Sequence, residues 1–315
     1  MSVVNARKIG VIGCGFVGAS SAFALMESGL YSEMVLIDAD QNKAEGEALD
    51  ISHGLPFAGP MKIYAGSYDD IRDASIVVVT AGAGQKPGET RLDLVKKNVA
   101  IFKSIIPEIA KRDFQGVLLI VANPVDILTY QFCKMSGLPQ NQVFGSGTIL
   151  DTARLRARIA EYYHIAQQNV HAYVFGEHGD SSFIPWSLAN IATIPVDEYK
   201  SCLEDNDKLI PPLIHEEVES YIRSSGGKII ERKGATFYAV AISVAHIVDC
   251  INNAADTTLT VSAMANGEYG IKDVSLSMLS VIGRTGFHGH LLAPLSDMEI
   301  VQMRRSADCL KDAIK

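Results

Sequence analysis

The most constraining feature of the sequence is a glycine turn, Gly13-Cys14-Gly15-Phe16-Val17-Gly18, set between short apolar runs. Ile9 to Ile12 precedes it and suits a buried parallel strand, while Ala19 to Ser28, rich in small residues, continues as a helix. Met34 to Ile37 reads as a second strand and ends in Asp38, twenty residues after Gly18. A GxGxxG pattern is weak alone, but strand, glycine turn, helix, strand and carboxylate in this order is the signature of a dinucleotide site. Gly13 permits the tight turn, Gly15 lets backbone approach a pyrophosphate, and Gly18 lets helix and strand pack closely. The helix N-terminus then presents unpaired N–H groups and a partial positive charge to the phosphates. Asp38 accepts from ribose hydroxyls and repels a 2′-phosphate, so NAD is expected and not NADP. A glycine-rich turn with no ligand is the alternative.

A chain of 315 residues is long for one core, and two domains or two lobes are expected. Hydrophobic content of 48% with 20% charged residues describes an ordinary globular protein. A net charge of −8 argues against nonspecific nucleic-acid binding and leaves no basic membrane patch. Cys14, Cys133, Cys202, Cys250 and Cys309 are scattered, odd in number and without CxxC spacing. They read as free thiols in a reducing cytoplasm, with no disulfide framework and no metal site. Arg7-Lys8 followed by Ile9 to Leu25 imitates a signal peptide. Cleavage there would remove the first strand and all three glycines, so export is rejected. No segment reaches the roughly 18 uninterrupted apolar residues of a membrane span.

Further along, Glu45 to Gly54 is expected as a helix, Met61 to Ala65 as a third strand and Ile76 to Thr80 as a fourth. Val117 to Ala122 and Gln142 to Phe144 complete six strands, with a helical pattern at Leu94, Val95, Asn98, Phe102, Ile105, Ile106 and Ile109. Continuous β-branched runs mark strands covered on both faces. The alternation points to an α/β fold, a Rossmann-type doubly wound parallel sheet, over residues 1–147. Residues 148–315 read as a second, α+β substrate domain. It holds helices at Asp151 to Tyr163, at Leu209 to Ser224 (stopped by Gly226-Gly227) and at Gly234 to Asn252. A strand at Asn169 to Phe175, antiparallel strands at Thr257 to Met264 and Val274 to Ile282, and a last helix from the capping box Ser296 to Glu299 complete it. The small-residue helix after Gly234 suits close helix packing or a subunit contact.

Ligands of such sheets bind beyond the carboxyl ends of the strands. Two loops there stand out. Residues 81–91, with three glycines and a proline, suit a mobile lid. Asn123-Pro124-Val125-Asp126 places an amide where it can bond a nicotinamide or substrate group. Asp151 and Arg154 share a helix face, and His178 sits between glycines after a strand. A histidine with a carboxylate behind it and an arginine beside it can bind a carboxylic acid and move its α-hydroxyl proton. Each also has a structural reading: Asp151 as a helix cap, Arg154 in a surface ion pair, His178 bracing its turn. Spacing alone does not choose between the two.

The chain resembles the L-lactate dehydrogenases of the lactate/malate dehydrogenase family over essentially its whole length. The resemblance is carried by Gly13 to Gly18, Thr80 to Leu94, Asn123 to Asp126, Ile149 to Arg154 and Gly176 to Asp180. It implies that His178 is the proton acceptor-donor, that Asp151 orients it, that Arg154 grips the substrate carboxylate and that Arg91, on the lid, polarises the reacting carbonyl. It places Asn123 at nicotinamide and substrate. Gly13, Gly15, Phe16, Val17, Gly18, Asp38, Lys43, Tyr68, Gly82, Ala83, Ser104, Val121 and Ser146 fall along the cofactor. The implied activity is reversible hydride transfer between L-lactate and pyruvate in fermentative glycolysis, by a homotetramer.

By the same resemblance, Gln85 matches the family's specificity position, where malate-specific relatives carry arginine. A second carboxylate buried beside a neutral side chain costs several kcal/mol, so a methyl-bearing substrate is favoured, and Thr236 matches the family position that closes the other side of the pocket. Lys86 is adjacent, but adjacent side chains usually diverge. Arg156 is turned about 200° from Arg154 on a helix. With His171 it matches the pair that holds fructose 1,6-bisphosphate between subunits in bacterial relatives. An exposed arginine and a strand histidine are the plainer reading of that pair. Arg158, one turn on from Arg154, has no role in this scheme. Malate dehydrogenase is the alternative enzyme, and a silent NAD-binding scaffold the alternative outside catalysis.

Overall fold

In the computed structural model, the described residues are 4–84, 91–203, 211, 213–253 and 255–314. The first half alternates strand and helix. Strands β1 (Asn5–Ile12), β2 (Glu33–Ile37), β3 (Lys62–Ala65), β4 (Ala74–Val79), β5 (Val117–Ile120) and β6 (Val143–Gly145) are joined through helices α1 (Phe16–Ser28), α2 (Gln41–His53), α3 (Arg91–Ala110) and α4 (Val125–Met135). The second half holds α5 (Ile149–Tyr163), a three-stranded sheet of β7 (Val170–His171), β8 (Asn190–Ile191) and β9 (Ile194–Pro195), and α6 (Val196–Tyr199). Then follow α7 (His215–Lys233), α8 (Tyr238–Asn252), β10 (Thr257–Asn266), β11 (Lys272–Gly283), β12 (Gly286–His290) and α9 (Asp297–Ile314).

The first six strands are parallel in the order β3-β2-β1-β4-β5-β6. Alternate residues of each strand feed opposite cores. Ile76 and Val78 of β4 join Val11, Leu119 and residues of α1, α2 and α8, such as Leu25, Ala48 and Ile247. Val77 and Val79 join Leu118, Ile120 and Phe102, Ile105, Leu128 and Phe132 of α3 and α4. Burial on both faces explains why these strands read as unbroken apolar runs. Each such side chain contributes about 1.5–3 kcal/mol by leaving water.

Register sets the functional edge. Ile12 pairs with Ile37 and with Val79, Val79 with Ile120, and Ile120 with Gly145. Gly13, Asp38, Thr80, Val121 and Ser146 therefore stand in one row just past the strand ends. The sheet does not stop at β6. Gly145 pairs with Ser262 of β10, and the antiparallel hairpin β10-β11 and strand β12 extend it to nine strands.

Several expectations need correction. Gly226 and Gly227 do not stop a helix; α7 runs through both and ends at Gly234, whose φ of +84° is the left-handed cap that glycine adopts readily. At both interior glycines an added Cβ meets open space, so they lower helix propensity without breaking hydrogen bonds. The small-residue helix accordingly starts at Tyr238 and not at Gly234. The expected start of α7 at Leu209 lies outside the described residues. The strand placed at Asn169 to Phe175 is regular only at Val170–His171; beyond it, Phe175 bridges Phe183 and Gly176 bridges Ser277. Strand β12 had no clear apolar alternation to announce it. Of the loop 81–91, residues 85–90, with Gln85 and Lys86, lie outside the described residues, and Arg91 opens α3. Among the described residues, no helix is long and apolar enough to cross a membrane.

Candidate active site

A cleft of about 600 Å³ opens at the carboxyl edge of the sheet. It is lined by Gly13, Gly15, Asp38, Lys43, Tyr68, Gly82, Ala83 and Ser104, all expected from sequence, and by Ile37, Ala39, Ile101, Ile105 and Glu108, which were not. The three glycines divide the work as their spacing suggests. Gly13 has φ +97°, and a Cβ there would lie 2.5 Å from the Ala81 backbone. A Cβ on Gly18 would strike the Gly13 carbonyl and Thr80 Oγ1, whereas one on Gly15 would project into open space, as a surface approached by phosphate requires. Gly15 also caps α1 with no side-chain bond, which leaves the N–H groups of the first turn to a ligand.

Asp38 accepts the Cys14 N–H at 2.6 Å and the Asp40 N–H at 3.0 Å, which fixes its carboxylate at the cleft wall with lone pairs left for hydroxyls. These residues fit a dinucleotide with an unphosphorylated ribose. Cys14, buried beside them, is inert: burial, with the nearby Asp38 charge, pushes its thiol up to about 12. Phe16, Val17, Gly18, Val121, Asn123 and Ser146 are not part of the cleft lining. Phe16, Val17 and Gly18 sit in the first turn of α1, Val121 and Ser146 in the row just past the strand ends, and Asn123 in the loop between β5 and α4.

The second half brings a histidine, an aspartate and an arginine together at this edge. Asp151, in the first turn of α5, is 7% exposed and bonds two partners at once. His178 Nδ1 lies 2.6 Å from its Oδ2, and Arg154 Nη1 donates to its Oδ1 at 2.9 Å. Burial works against the charge of Asp151, but the imidazole and guanidinium overcome it and hold its carboxyl below the usual range. Burial also works against protonated His178; Asp151, with help from Asp126, outweighs it, so the imidazole pKa rises above its ordinary value. The His178 side chain remains 27% exposed, and its Nε2 side faces outward from Asp151.

Sequence gave no account of what holds His178 in place. Thr148 Oγ1 donates to the Val174 carbonyl, and Thr152 Oγ1 accepts the Val174 N–H at 3.0 Å, so the start of α5 clasps the extended segment that leads to the loop. Gly176 pairs with Ser277 of β11 in both directions. The Glu177 N–H donates to Ser306 of α9 at 2.8 Å, and the His178 N–H donates to Asp126 of α4 at 2.7 Å. Four elements thus frame one loop.

Asn98 was also missed, having been read only as part of the helical pattern of its segment. It is 2% exposed, accepts the Ala83 N–H at 2.7 Å and donates to the carbonyls of Ala83 and Asn123 at 3.3 and 2.7 Å. One buried amide therefore ties together the loops that follow β4 and β5. A polar residue at a core position of an amphipathic helix was the signal that could have revealed it.

Thr236 is half-buried in the connection between α7 and α8, and its neighbour Phe237 stacks on Phe16 of the glycine turn at 5.4 Å. That stack draws the connection toward the cofactor cleft. Arg156 faces away from this centre, as its angle on the helix required. Its Nε donates to the Ala172 carbonyl at 3.2 Å and its guanidinium lies over Tyr173, which brings it beside exposed His171. Arg158 bonds Glu161 at 2.9 Å and covers the Tyr221 ring, bracing α5 against α7.

Residues 7–145 match the family model of the lactate/malate dehydrogenase NAD binding domain, and residues 148–315 match that of the lactate/malate dehydrogenase alpha/beta C-terminal domain. The chain belongs to the lactate/malate dehydrogenase family. It is 51% identical to the L-lactate dehydrogenase of Thermoanaerobacterium saccharolyticum, with 98% of each chain covered. It is 48% identical to that of Acetivibrio thermocellus, covering 98% of this chain and 96% of the relative. Among solved structures, the minor L-lactate dehydrogenase of Enterococcus mundtii in its ligand-bound form superposes with a TM-score of 0.91 at 38% identity, with 98% of each chain covered. A lactate dehydrogenase from a Medee basin deep-sea metagenome library also gives 0.91, at 40% identity, covering 100% of this chain and 98% of the other. As a member of this dehydrogenase family the protein is an NAD-dependent oxidoreductase, and the glycine cradle and Asp38 are the residues that suit NAD.

Proposed function

We propose that the protein catalyses reversible hydride transfer between L-lactate and pyruvate, with residues 1–147 holding the cofactor and residues 148–315 the substrate. The observation that carries this reading is Asp151 bonded to both His178 and Arg154, beside the cofactor edge. NAD supplies the hydride acceptor in lactate oxidation and, reduced, the donor in pyruvate reduction.

In oxidation, neutral His178 takes the α-hydroxyl proton at Nε2 while Asp151 stabilises the imidazolium through Nδ1–H. In reduction, protonated His178 returns that proton to the carbonyl oxygen. Arg154 keeps N–H donors beyond the one given to Asp151, and its planar fork matches the substrate carboxylate with two parallel bonds. Arg91 is assigned to the growing charge on the carbonyl oxygen. Asn98 supports the chemistry indirectly, by holding the loops of Ala83 and Asn123 in register.

Gln85 and Thr236 are assigned to the pocket for the substrate methyl group. A neutral Gln85 leaves a second carboxylate unpaired, at a cost of several kcal/mol, which is over a hundredfold in rate. The test is NADH oxidation with pyruvate and with oxaloacetate. Pyruvate is expected to be preferred by at least about a hundredfold in kcat/KM; comparable efficiency on both would make malate dehydrogenase the better reading, and no oxidation of NADH with either would favour a silent scaffold.

Two finer assignments rest on separate observations. Arg156, bonded at the carbonyl next to His171, supports a fructose 1,6-bisphosphate site shared between subunits. Half-saturation by pyruvate should fall when the bisphosphate is added, and no change removes the effector. Exposed Phe23 on α1, Leu49 on α2 and Ile242 on α8 leave apolar outer faces on packed helices, which supports a homotetramer. Free thiols at all five cysteines suit the cytoplasm, where this reaction would serve fermentative glycolysis.

A further inference from the structure

We propose that Asp126 is a second carboxylate serving the His178 imidazole, a positioning residue that holds the loop by its backbone and favours the protonated ring through its own negative charge. The inference rests on His178 as the proton carrier and adds a group behind it.

Asp126 is the second residue of α4 and is 2% exposed. Its Oδ2 accepts the His178 N–H at 2.7 Å, and its Oδ1 is buried with no hydrogen-bond partner among the described residues. Among the described residues, no lysine or arginine pairs with it. Burying a carboxylate on so little support is costly. A loop that merely needed an acceptor would be held as well by the neutral oxygen of asparagine, without a charge to bury. The charge itself therefore requires an explanation, and the cation supplied by its surroundings is the imidazolium of His178.

The charged groups around the pair are few. Glu177, on the same loop, adds a like charge to Asp126, and β10 brings the Ser262 hydroxyl toward it. From α5, Asp151 favours the protonated ring and Arg154 opposes it. Burial raises the Asp126 carboxyl to about 6, so it is ionised at neutral pH and takes up a proton just below. Two carboxylates thus serve the one residue: Asp151 at the ring Nδ1 of His178, and Asp126 at its backbone N–H.

Asp126→Asn keeps the shape and an acceptor for the His178 N–H while removing the charge. In pyruvate reduction with saturating NADH, the pH at which kcat/KM begins to fall should move down by about one unit, a typical effect of a nearby opposite charge. Above that limb, kcat/KM then drops roughly tenfold, with NADH affinity unchanged. An unmoved limb overturns the proposal, whatever the rate. Should Asp126→Asn fail to fold, the His178 ring protons of the wild-type protein can be titrated by NMR. A second inflection on the acid side is expected as Asp126 gains its proton, and a single inflection overturns the proposal. A His178→Gln control separates the two levels: turnover that survives it defeats the proton-carrier assignment, while turnover lost there with an unmoved Asp126→Asn limb defeats only the role of Asp126.

Discussion

At the residue scale, the His178–Asp151 pair links catalysis to pH with a definite sign. With His178 as the proposed proton carrier, pyruvate reduction consumes a protonated imidazole, so kcat/KM is expected to be level in acid and to fall only above the ordinary imidazole range, because Asp151 outweighs burial and raises the pKa. Lactate oxidation should show the mirror image, rising with pH. His178→Ala should cost about 10²–10⁴-fold in kcat, the usual worth of a positioned acid–base group, with NADH binding retained in a fluorescence titration. The same raised pKa acts on stability: the pair contributes fully below pH about 6.5 and its contribution is lost as pH rises through the folded value. Asp126 has the opposite sign. Its carboxyl sits at about 6, above the unfolded value of 3.8, so folding loses stability as pH climbs between those two values. The cost at neutral pH is on the order of 3 kcal/mol. Asp126→Asn should therefore unfold at higher denaturant than wild type at pH 7.5 and lose that advantage at pH 4. A function-serving charge that weakens the fold is the pattern such a measurement would reveal.

At the element scale, the strand–glycine–helix unit was legible because its physics is local. Gly13 and Gly18 are required by contacts within a few residues of the turn or directly across to Thr80 and Ala81. Gly18→Ala should push α1 off the end of β1, since the obstructing atom is a backbone carbonyl that cannot yield. NADH affinity should fall by at least about tenfold in a binding titration, and unaltered affinity would show that the turn can relax. The helix bearing Asp151 and Arg154 was equally readable, because three-residue spacing puts both on one face. The end of α7 was not. Glycine pairs usually mark helix ends, yet Gly226 and Gly227 stay helical because the cost of each, about 1 kcal/mol, is small beside the packing of Val218 and Ile222 in the core. Nor did the sequence reveal the frame around His178. Thr148, Thr152, Ser277, Ser306 and Asp126 come from four elements spread over the chain, and hydroxyls carry no periodic signal of their partners.

For the whole molecule, the two halves expected from length and texture share a sheet and a core. Strand β10 adds to β6, and Val244, Ile247 and Ile251 of α8 pack in the same cluster as Ile9, Leu25 and Val78. That sharing was invisible in sequence because antiparallel pairing between Gly145 and Ser262 spans more than a hundred residues and joins the last residue of β6 to the middle of β10. Heat should accordingly meet no seam. Calorimetry on NADH-free protein is expected to record one endotherm whose van't Hoff and calorimetric enthalpies agree per cooperative unit, whereas two separated peaks would mean that each half melts alone. A seam-free body has a further meaning for how the protein tolerates change. A lesion planted in the nucleotide shelf will be felt by the acid group on the far side of the joint, so faults that look remote on the chain converge on one shared framework.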